Sequence, residues 1–196
     1  PGRLLCGTVR VADIGFSPDV LDAMEPFGRA LTAPEAARLL PRRVWNAHKN
    51  SAGRVFVVAS SAGMTGAAAL AAESAYRVGA GMVRIGCPES LHDVLEVKLT
   101  ESLTIPLPEV RKRRCLSLRA MGAMRETARA ADAVAIGPGL GTHRETSELV
   151  RRFVGEYAGK IIIDADAINA FSGQMEILFR APGAKVLTPH PGELSP

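Results

Sequence analysis

Arg54-Val55-Phe56-Val57-Val58-Ala59-Ser60-Ser61-Ala62-Gly63-Met64-Thr65-Gly66-Ala67 changes character twice within a few residues. Val55 to Ala59 is a continuous apolar run of strand length, as expected of a strand covered on both faces. Ser60 to Gly63 is a loop of small residues. Thr65 to Val78 is an alanine-rich helix, ended by Gly79. Strand, small-residue loop and helix form one unit of an α/β fold.

The unit recurs downstream. Met82 to Gly86 reads as a second strand, Leu118 to Ala130 as a helix and Ala133 to Ile136 as a third strand. Arg144 to Tyr157 follows as a helix with its charges on one face. Ile161 to Asp164 is a fourth strand, Met175 to Phe179 a short helix and Lys185 to Leu187 a fifth strand. This alternation predicts a mostly parallel sheet sandwiched between helices.

Residues 1–47 differ. Thr8 to Ile14 reads as a short strand closed by Gly15 and Pro18, and Glu35 to Leu40 as a short helix with Thr32 as its N-cap. With Pro26 between them, the stretch looks like a connector with little core of its own. Two regions are therefore expected, 1–47 and 48–196.

Composition narrows the function. Of the 196 residues, 47% are hydrophobic and 22% charged, enough apolar content for one real core and too little charge for a disordered chain. A net charge of +4 is too small to argue for nucleic acid. The run Arg111-Lys112-Arg113-Arg114 reads as a solvated loop, or as a contact for a phosphate-rich ligand. Three cysteines without short spacing give neither a disulfide framework nor a zinc site, and the four histidines show no ligand spacing. No apolar run approaches the ~20 residues a membrane span needs, and Pro1-Gly2-Arg3 begins no signal peptide. A reducing, cytoplasmic setting is expected.

In parallel sheets, ligands bind beyond the carboxyl ends of the strands. Every unusual loop here follows a strand. Ser60 to Ala67 offers small residues and a helix start, suited to an anion or simply to close helix–sheet packing. It lacks the lysine of a P-loop. Gly137-Pro138-Gly139-Leu140-Gly141 forms a rigid corner free of bulky side chains, where a large ligand can lie. Asp164 and Asp166 stand where a strand enters a turn. They suit Mg²⁺ or a ribose hydroxyl, while Asp166 equally suits a helix cap. His190 sits between Pro189 and Pro191, with Glu193 favouring a helix start just after it.

Taken together, His48-Lys49, Ser60 to Ala67, Ala80-Gly81, Gly137 to Gly141, Asp164-Ala165-Asp166-Ala167-Ile168-Asn169 and Thr188-Pro189-His190-Pro191-Gly192-Glu193 follow the order found in the NAD(P)H-hydrate dehydratases. The resemblance runs from about His48 to Glu193. Residues 1–47, with Val9 to Gly15 as a final strand, resemble the end of the epimerase domain and the linker of bifunctional forms.

The resemblance implies a ribokinase-like three-layer sandwich, incomplete at its C-terminal side. It implies removal of water from hydrated NADH or NADPH, driven by ADP or ATP with Mg²⁺. The hydroxyl at C6 of the nicotinamide ring would be phosphorylated, and the phosphate would then leave. Ala67, Gly139, Gly141 and His190 would contact the hydrated dinucleotide. Ser61, Asp164, Asp166, Asn169 and Glu193 would shape the same rim. The expected partner is this small molecule, with no nucleic acid and no membrane, and with room for a homo-oligomer.

The sequence departs from the family at Ala59 and Ser60, where glycines are usual, and at Asn50, which replaces a glycine. The family's Gly-Ser-Gly-Asp motif, which carries the general base and an anion hole, does not occur among the 196 residues. On this reading no catalytic residue is retained, and these residues alone are expected not to turn over. Two other classes compete: a vitamin-precursor kinase of the ribokinase superfamily, and a non-catalytic dinucleotide-binding remnant. Thr188 to Glu193 and Asp164 to Asn169 weigh against the kinase.

Overall fold

The computed structural model describes residues 5–10, 12–24, 28, 30–40, 45–49 and 51–194. Val11, Pro26, Asn50 and Pro1 to Arg3, which entered the sequence reading, lie outside the described residues. The chain divides into two compact units, Pro1–Pro41 and Arg42–Pro196.

The first unit has two short helices, α1 (Pro18–Asp22) and α2 (Ala33–Leu39), and neither buries a residue. Thr32 begins α2 through a capping box, its backbone N–H and hydroxyl both donating to Glu35 at 2.9 and 2.8 Å. The strand expected over Thr8 to Ile14 is not found among its described residues. An apolar alternation becomes a strand only where a neighbour completes the ladder, and no strand lies among the described residues of this unit.

The second unit is built on β1 (Arg54–Val58), β2 (Met82–Pro88), β3 (Leu103–Leu107), β6 (Ala133–Ile136), β7 (Ile161–Ile163) and β8 (Lys185–Leu187). They form one sheet in the order β3-β2-β1-β6-β7-β8, every pair parallel. Between β3 and β6 a small antiparallel hairpin, β4 (Glu109–Val110) with β5 (Cys115–Leu116), stands apart from the sheet.

The period of two along β1 divides its residues between two cores. Phe56 and Val58 join Val134, Ile136, Ile161 and Ile163 on one face. There they meet α5 (Met121–Arg129) and α6 (Arg144–Glu156) through Met124, Leu149 and Phe153, and α8 (Met175–Arg180) through Leu178. Val57 and Ala59 join Val83, Ile85 and Cys87 on the other face, against α3 (Thr65–Arg77) and α4 (His92–Lys98). The result is three layers, as expected. In α3 the alanines at i and i+4, Ala68 and Ala72, are fully buried and let the helix lie close on the sheet. Each large side chain withdrawn from water, such as Phe56 or Phe153, contributes about 1.5–3 kcal/mol of transfer free energy.

Candidate functional site

Because the sheet is wholly parallel, the loops after β1, β6, β7 and β8 open on one rim. The strand order adds what the sequence could not show. From β1 the chain crosses to β2 and β3 on one side, while β6, β7 and β8 lie on the other. The order in which strands are added therefore reverses between β1 and β6, where open α/β sheets form a crevice. The Ser60 to Ala67 and Gly137 to Gly141 loops are the two walls of that point.

Hydrogen bonds join these loops into one surface. The Gly137 N–H donates to Val58 O at 3.1 Å and the Ser60 N–H to Pro138 O at 3.0 Å. The Ser61 hydroxyl donates to Gly139 O at 2.9 Å. The Gly141 N–H donates to Asp166 Oδ2 at 2.8 Å, and the Thr188 hydroxyl to Asp164 Oδ1 at 2.6 Å. The rim thus runs without a break from Ser61 through Gly139, Gly141, Asp166 and Asp164 to Thr188.

The glycines are required by close approach. A methyl group on Gly137 (φ +132°) would collide with the Asp164 carbonyl, and one on Gly139 (φ +65°) would lie 2.8 Å from Met64 Cβ and 3.1 Å from Ala67 Cβ. Ala67, in the first turn of α3, therefore faces the glycine corner directly. Ser60 (φ +85°) and Ala165 (φ +48°) hold positive φ although neither is glycine, a conformation that costs of order 1–3 kcal/mol per residue. Ser60 is fully buried and its hydroxyl meets no partner among the described residues.

The acidic pair is accounted for by these contacts. Asp166 opens the one-turn helix α7 (Asp166–Asn169), but the N-cap is Ala165 and makes no side-chain cap bond. The Asp166 carboxylate steadies Gly141 instead. Asn169 closes that turn with its side chain exposed. As for Mg²⁺, one oxygen of each aspartate is already engaged, and among the described residues no three His, Cys, Asp or Glu side chains gather. The described rim does not by itself form a cation cage.

His190 projects into solvent with 69% of its side chain exposed, while Glu193 beside it is 8% exposed. Gly192 N–H donates to His190 Nδ1 at 2.9 Å, which leaves the ring proton on Nε2, 3.1 Å from Glu193 Oε1. The other Glu193 oxygen accepts the His190 backbone N–H at 3.0 Å. The helix expected after His190 is a single turn among the described residues. The reciprocal bonds between His190 and Glu193 close that turn locally, so its form does not depend on a helix continuing.

His48-Lys49 and Ala80-Gly81 lie elsewhere, at the amino ends of β1 and β2. The Gly81 N–H donates to Gly53 O at 2.9 Å, and a methyl on Gly81 would strike the Lys49 carbonyl. This pair is a packing device and does not reach the rim. The basic run, in contrast, does reach it. Arg111 to Arg114 turns the β4–β5 hairpin, and the Ala62 N–H donates to Arg114 O at 3.1 Å. Arg113 then lines a cleft of about 400 Å³ with Ser61, Gly141, His143 and Arg144. His143 and Arg144 were not singled out from the sequence, and Arg113 was named only within the basic run, read as a solvated loop or a contact for a phosphate-rich ligand. The only signal was the density of positive charge.

A wholly parallel sheet in three layers, with small-residue loops at its switch point, defines an open, doubly wound α/β protein. Its fold matches a ribokinase-like superfamily protein from Enterococcus faecalis at TM-score 0.64 and 23% identity, over 79% of this chain and 51% of that one. The description NAD(P)H-hydrate dehydratase matches residues 55–195, and the chain belongs to that family. It is 40% identical over 196 residues to the bifunctional NAD(P)H-hydrate repair enzyme Nnr of Moorella thermoacetica, covering 100% of this chain and 37% of the relative. It is 32% identical over 172 residues to the ADP-dependent (S)-NAD(P)H-hydrate dehydratase of Xanthomonas campestris, covering 87% of this chain and 56% of the relative. The Bacillus subtilis ADP/ATP-dependent NAD(P)H-hydrate dehydratase, co-crystallized with ATP/Mg²⁺, superposes at TM-score 0.59 with 26% identity, over 83% of this chain and 53% of that one. The chain spans little more than a third of the Moorella relative's length and about half of these others.

Proposed function

We propose that this chain supplies the dinucleotide-binding rim of an NAD(P)H-hydrate dehydratase, which restores NADH or NADPH from their hydrated forms using ADP or ATP. The observation that carries the reading is the single hydrogen-bonded rim at the switch point, built from the same loops whose order resembles this family. Ala67 and Gly139 form a floor with no bulky side chain, against which a flat, extended ligand can lie. Gly141, held by Asp166, continues that floor. His190 offers an exposed imidazole whose backbone is fixed by Pro189 and Pro191.

The chemistry asks the rim to hold the hydrated ring still while its hydroxyl is activated. Positioning accounts for much of such a reaction, since a held geometry replaces a random encounter. ADP or ATP would supply the phosphoryl group and Mg²⁺ would neutralise its charge. Asp164 and Asp166, each with one carboxylate oxygen engaged by Thr188 or Gly141, are the acids of this rim that could face a hydrated cation. A reducing, cytoplasmic setting agrees with three free thiols, Cys6, Cys87 and Cys115.

The test is binding and repair measured together. The chain is titrated with hydrated NADH, and recovery of the reduced-nicotinamide absorbance is followed with ADP or ATP and Mg²⁺. Hydrated NADH is expected to bind, and His190→Ala to weaken it roughly ten- to a hundred-fold, the value of one lost hydrogen bond to a charged group. The melting midpoint should move by no more than a few degrees: the exposed ring accepts the Gly192 N–H and pairs with one Glu193 oxygen, while the other Glu193 oxygen keeps the His190 backbone N–H. A chain that ignores hydrated NADH yet phosphorylates a small alcohol would replace this reading with the kinase.

A further inference from the structure

The dehydratase reading leaves the basic turn unused. Its four positive residues sit on the tip of the hairpin between β4 and β5, and the tip is fixed in place. The Arg113 and Arg114 N–H groups both donate to Val110 O, at 2.9 and 2.8 Å. The Arg114 guanidinium donates to the Ser90 hydroxyl and carbonyl, each at 3.0 Å. The Arg114 carbonyl accepts the Ala62 N–H from the loop after β1. Arg114 is thus an anchor, and Arg113 is the residue it presents to the rim.

Across the same cleft stands Arg144, the first residue of α6. Neither Arg113 nor Arg144 has an acidic partner among the described residues. The nearby carboxylates are engaged with backbone amides: Glu145 accepts the Leu118 N–H at 3.3 Å, and Asp166 accepts that of Gly141. Ser61 and Gly141, which line the cleft, also border Gly139. The cleft is therefore continuous with the proposed dinucleotide floor. Two guanidiniums from separate elements that line one cleft of about 400 Å³, with no acidic partner among the described residues, suit a phosphate in charge and in donor chemistry.

We propose that Arg113 and Arg144 form a phosphate subsite that holds one phosphate group of the dinucleotide. The proposal rests on the dinucleotide reading for the identity of the ligand, while the anion chemistry stands on the arginines themselves. Two phosphates of such a ligand qualify, the pyrophosphate bridge and the 2′-phosphate that distinguishes NADPH from NADH.

The experiment is calorimetric titration of the chain and of its Arg113→Gln/Arg144→Gln variant with inorganic pyrophosphate, hydrated NADH and hydrated NADPH. Both arginines are exposed, so the variant should keep the parent's circular dichroism and melting midpoint. The parent is expected to bind pyrophosphate, and the variant to bind pyrophosphate and hydrated NADPH at least ten-fold more weakly. A loss larger for hydrated NADPH than for hydrated NADH assigns the 2′-phosphate; an equal loss assigns the bridge. Pyrophosphate binding that depends on the arginines, in a chain that ignores both hydrated dinucleotides, keeps the subsite and rejects the dehydratase reading. Unchanged affinity of the variant for every ligand overturns the subsite and leaves the dehydratase reading intact.

Discussion

The two rims of the sheet are made from the same strands and are built differently. At the amino ends, backbone in the left-handed region falls on glycines, Gly53, Gly79 and Gly183. The loops there close on each other: Gly81 packs on Lys49, and Asp132 ties Arg54 through its backbone N–H and its guanidinium, at 2.8 and 3.1 Å. Tyr76 adds a bridge, donating to Glu101 O at 2.6 Å and accepting the Val83 N–H at 3.1 Å. At the carboxyl ends, Ser60 and Ala165 hold positive φ without being glycine, and Arg114 does so on the hairpin tied to that rim. Ser60 also buries a hydroxyl with no partner among the described residues. One rim is arranged for stability, and the other carries strain of the kind that collects at ligand sites.

The largest test of this contrast is Gly137→Ala. The new methyl meets the Asp164 backbone carbonyl and the Ala167 side chain, and φ is +132°. No flexible side chain can give way, so β6 and β7 must part at the centre of the rim. The expected cost is about 4 kcal/mol or more, seen as a collapsed melting midpoint or insoluble protein. A soluble variant melting with the parent would show that the rim is far looser than its contacts imply.

Gly81→Ala should cost less, about 2 kcal/mol. The clash is again with a backbone carbonyl, that of Lys49, but it lies in a turn at the surface and φ is ordinary. Affinity for hydrated NADH should be unchanged, since the contact is at the opposite end of β1 and β2. Lost affinity without lost stability would mean that the two rims are not independent.

Ser60→Gly should act in the opposite direction. It removes the strain and the unpartnered hydroxyl, offset by the greater unfolded-state freedom of glycine. A net gain of about 1 kcal/mol is expected, or roughly 2–4 °C in the melting midpoint for a domain of this size. A fall in the midpoint would show that the serine is packed to advantage, and the contrast between the rims would lose one of its supports.

These tests bear on what the sequence could tell. The layers, most of the parallel strands and the convergent rim were legible, because apolar runs marked the buried strands and the unusual loops all followed them. β3 was not, because Pro106 within Leu103–Leu107 argues against a strand and is tolerated only at the sheet edge that β3 occupies. The two-residue strands β4 and β5 are too short to leave a pattern, so nothing foretold that the basic run would be carried to the rim. The sequence spacing of Asp164 and Asp166 suggested a cation or a helix cap. The fold engages them with Thr188 and Gly141, partners whose positions depend on strand order. Strand order comes from which edges pair, and local periodicity does not encode it.

The smallest expected effect lies on the stable rim and depends on pH. The Arg54 guanidinium, by its hydrogen bond to Asp132, holds that carboxyl below the usual carboxylate range, and the Arg54 N–H adds to this. A carboxyl whose folded pKa is depressed contributes stability above its unfolded pKa of ~3.9, and loses it as pH falls through the folded value. Asp132 and Arg54 are about half exposed, so solvent screens the pair and the contribution is small. Asp132→Asn should therefore lower the midpoint by no more than a few degrees at neutral pH. The gap from the parent should narrow as pH falls below about 4, where the parent's carboxyl also becomes neutral. Melting curves of both proteins from pH 7 down to acid, at low and at high salt, measure the gap. A gap that is constant across pH would assign the effect to the lost backbone contact at Arg54, and the charge of Asp132 would then play no part in closing the amino rim.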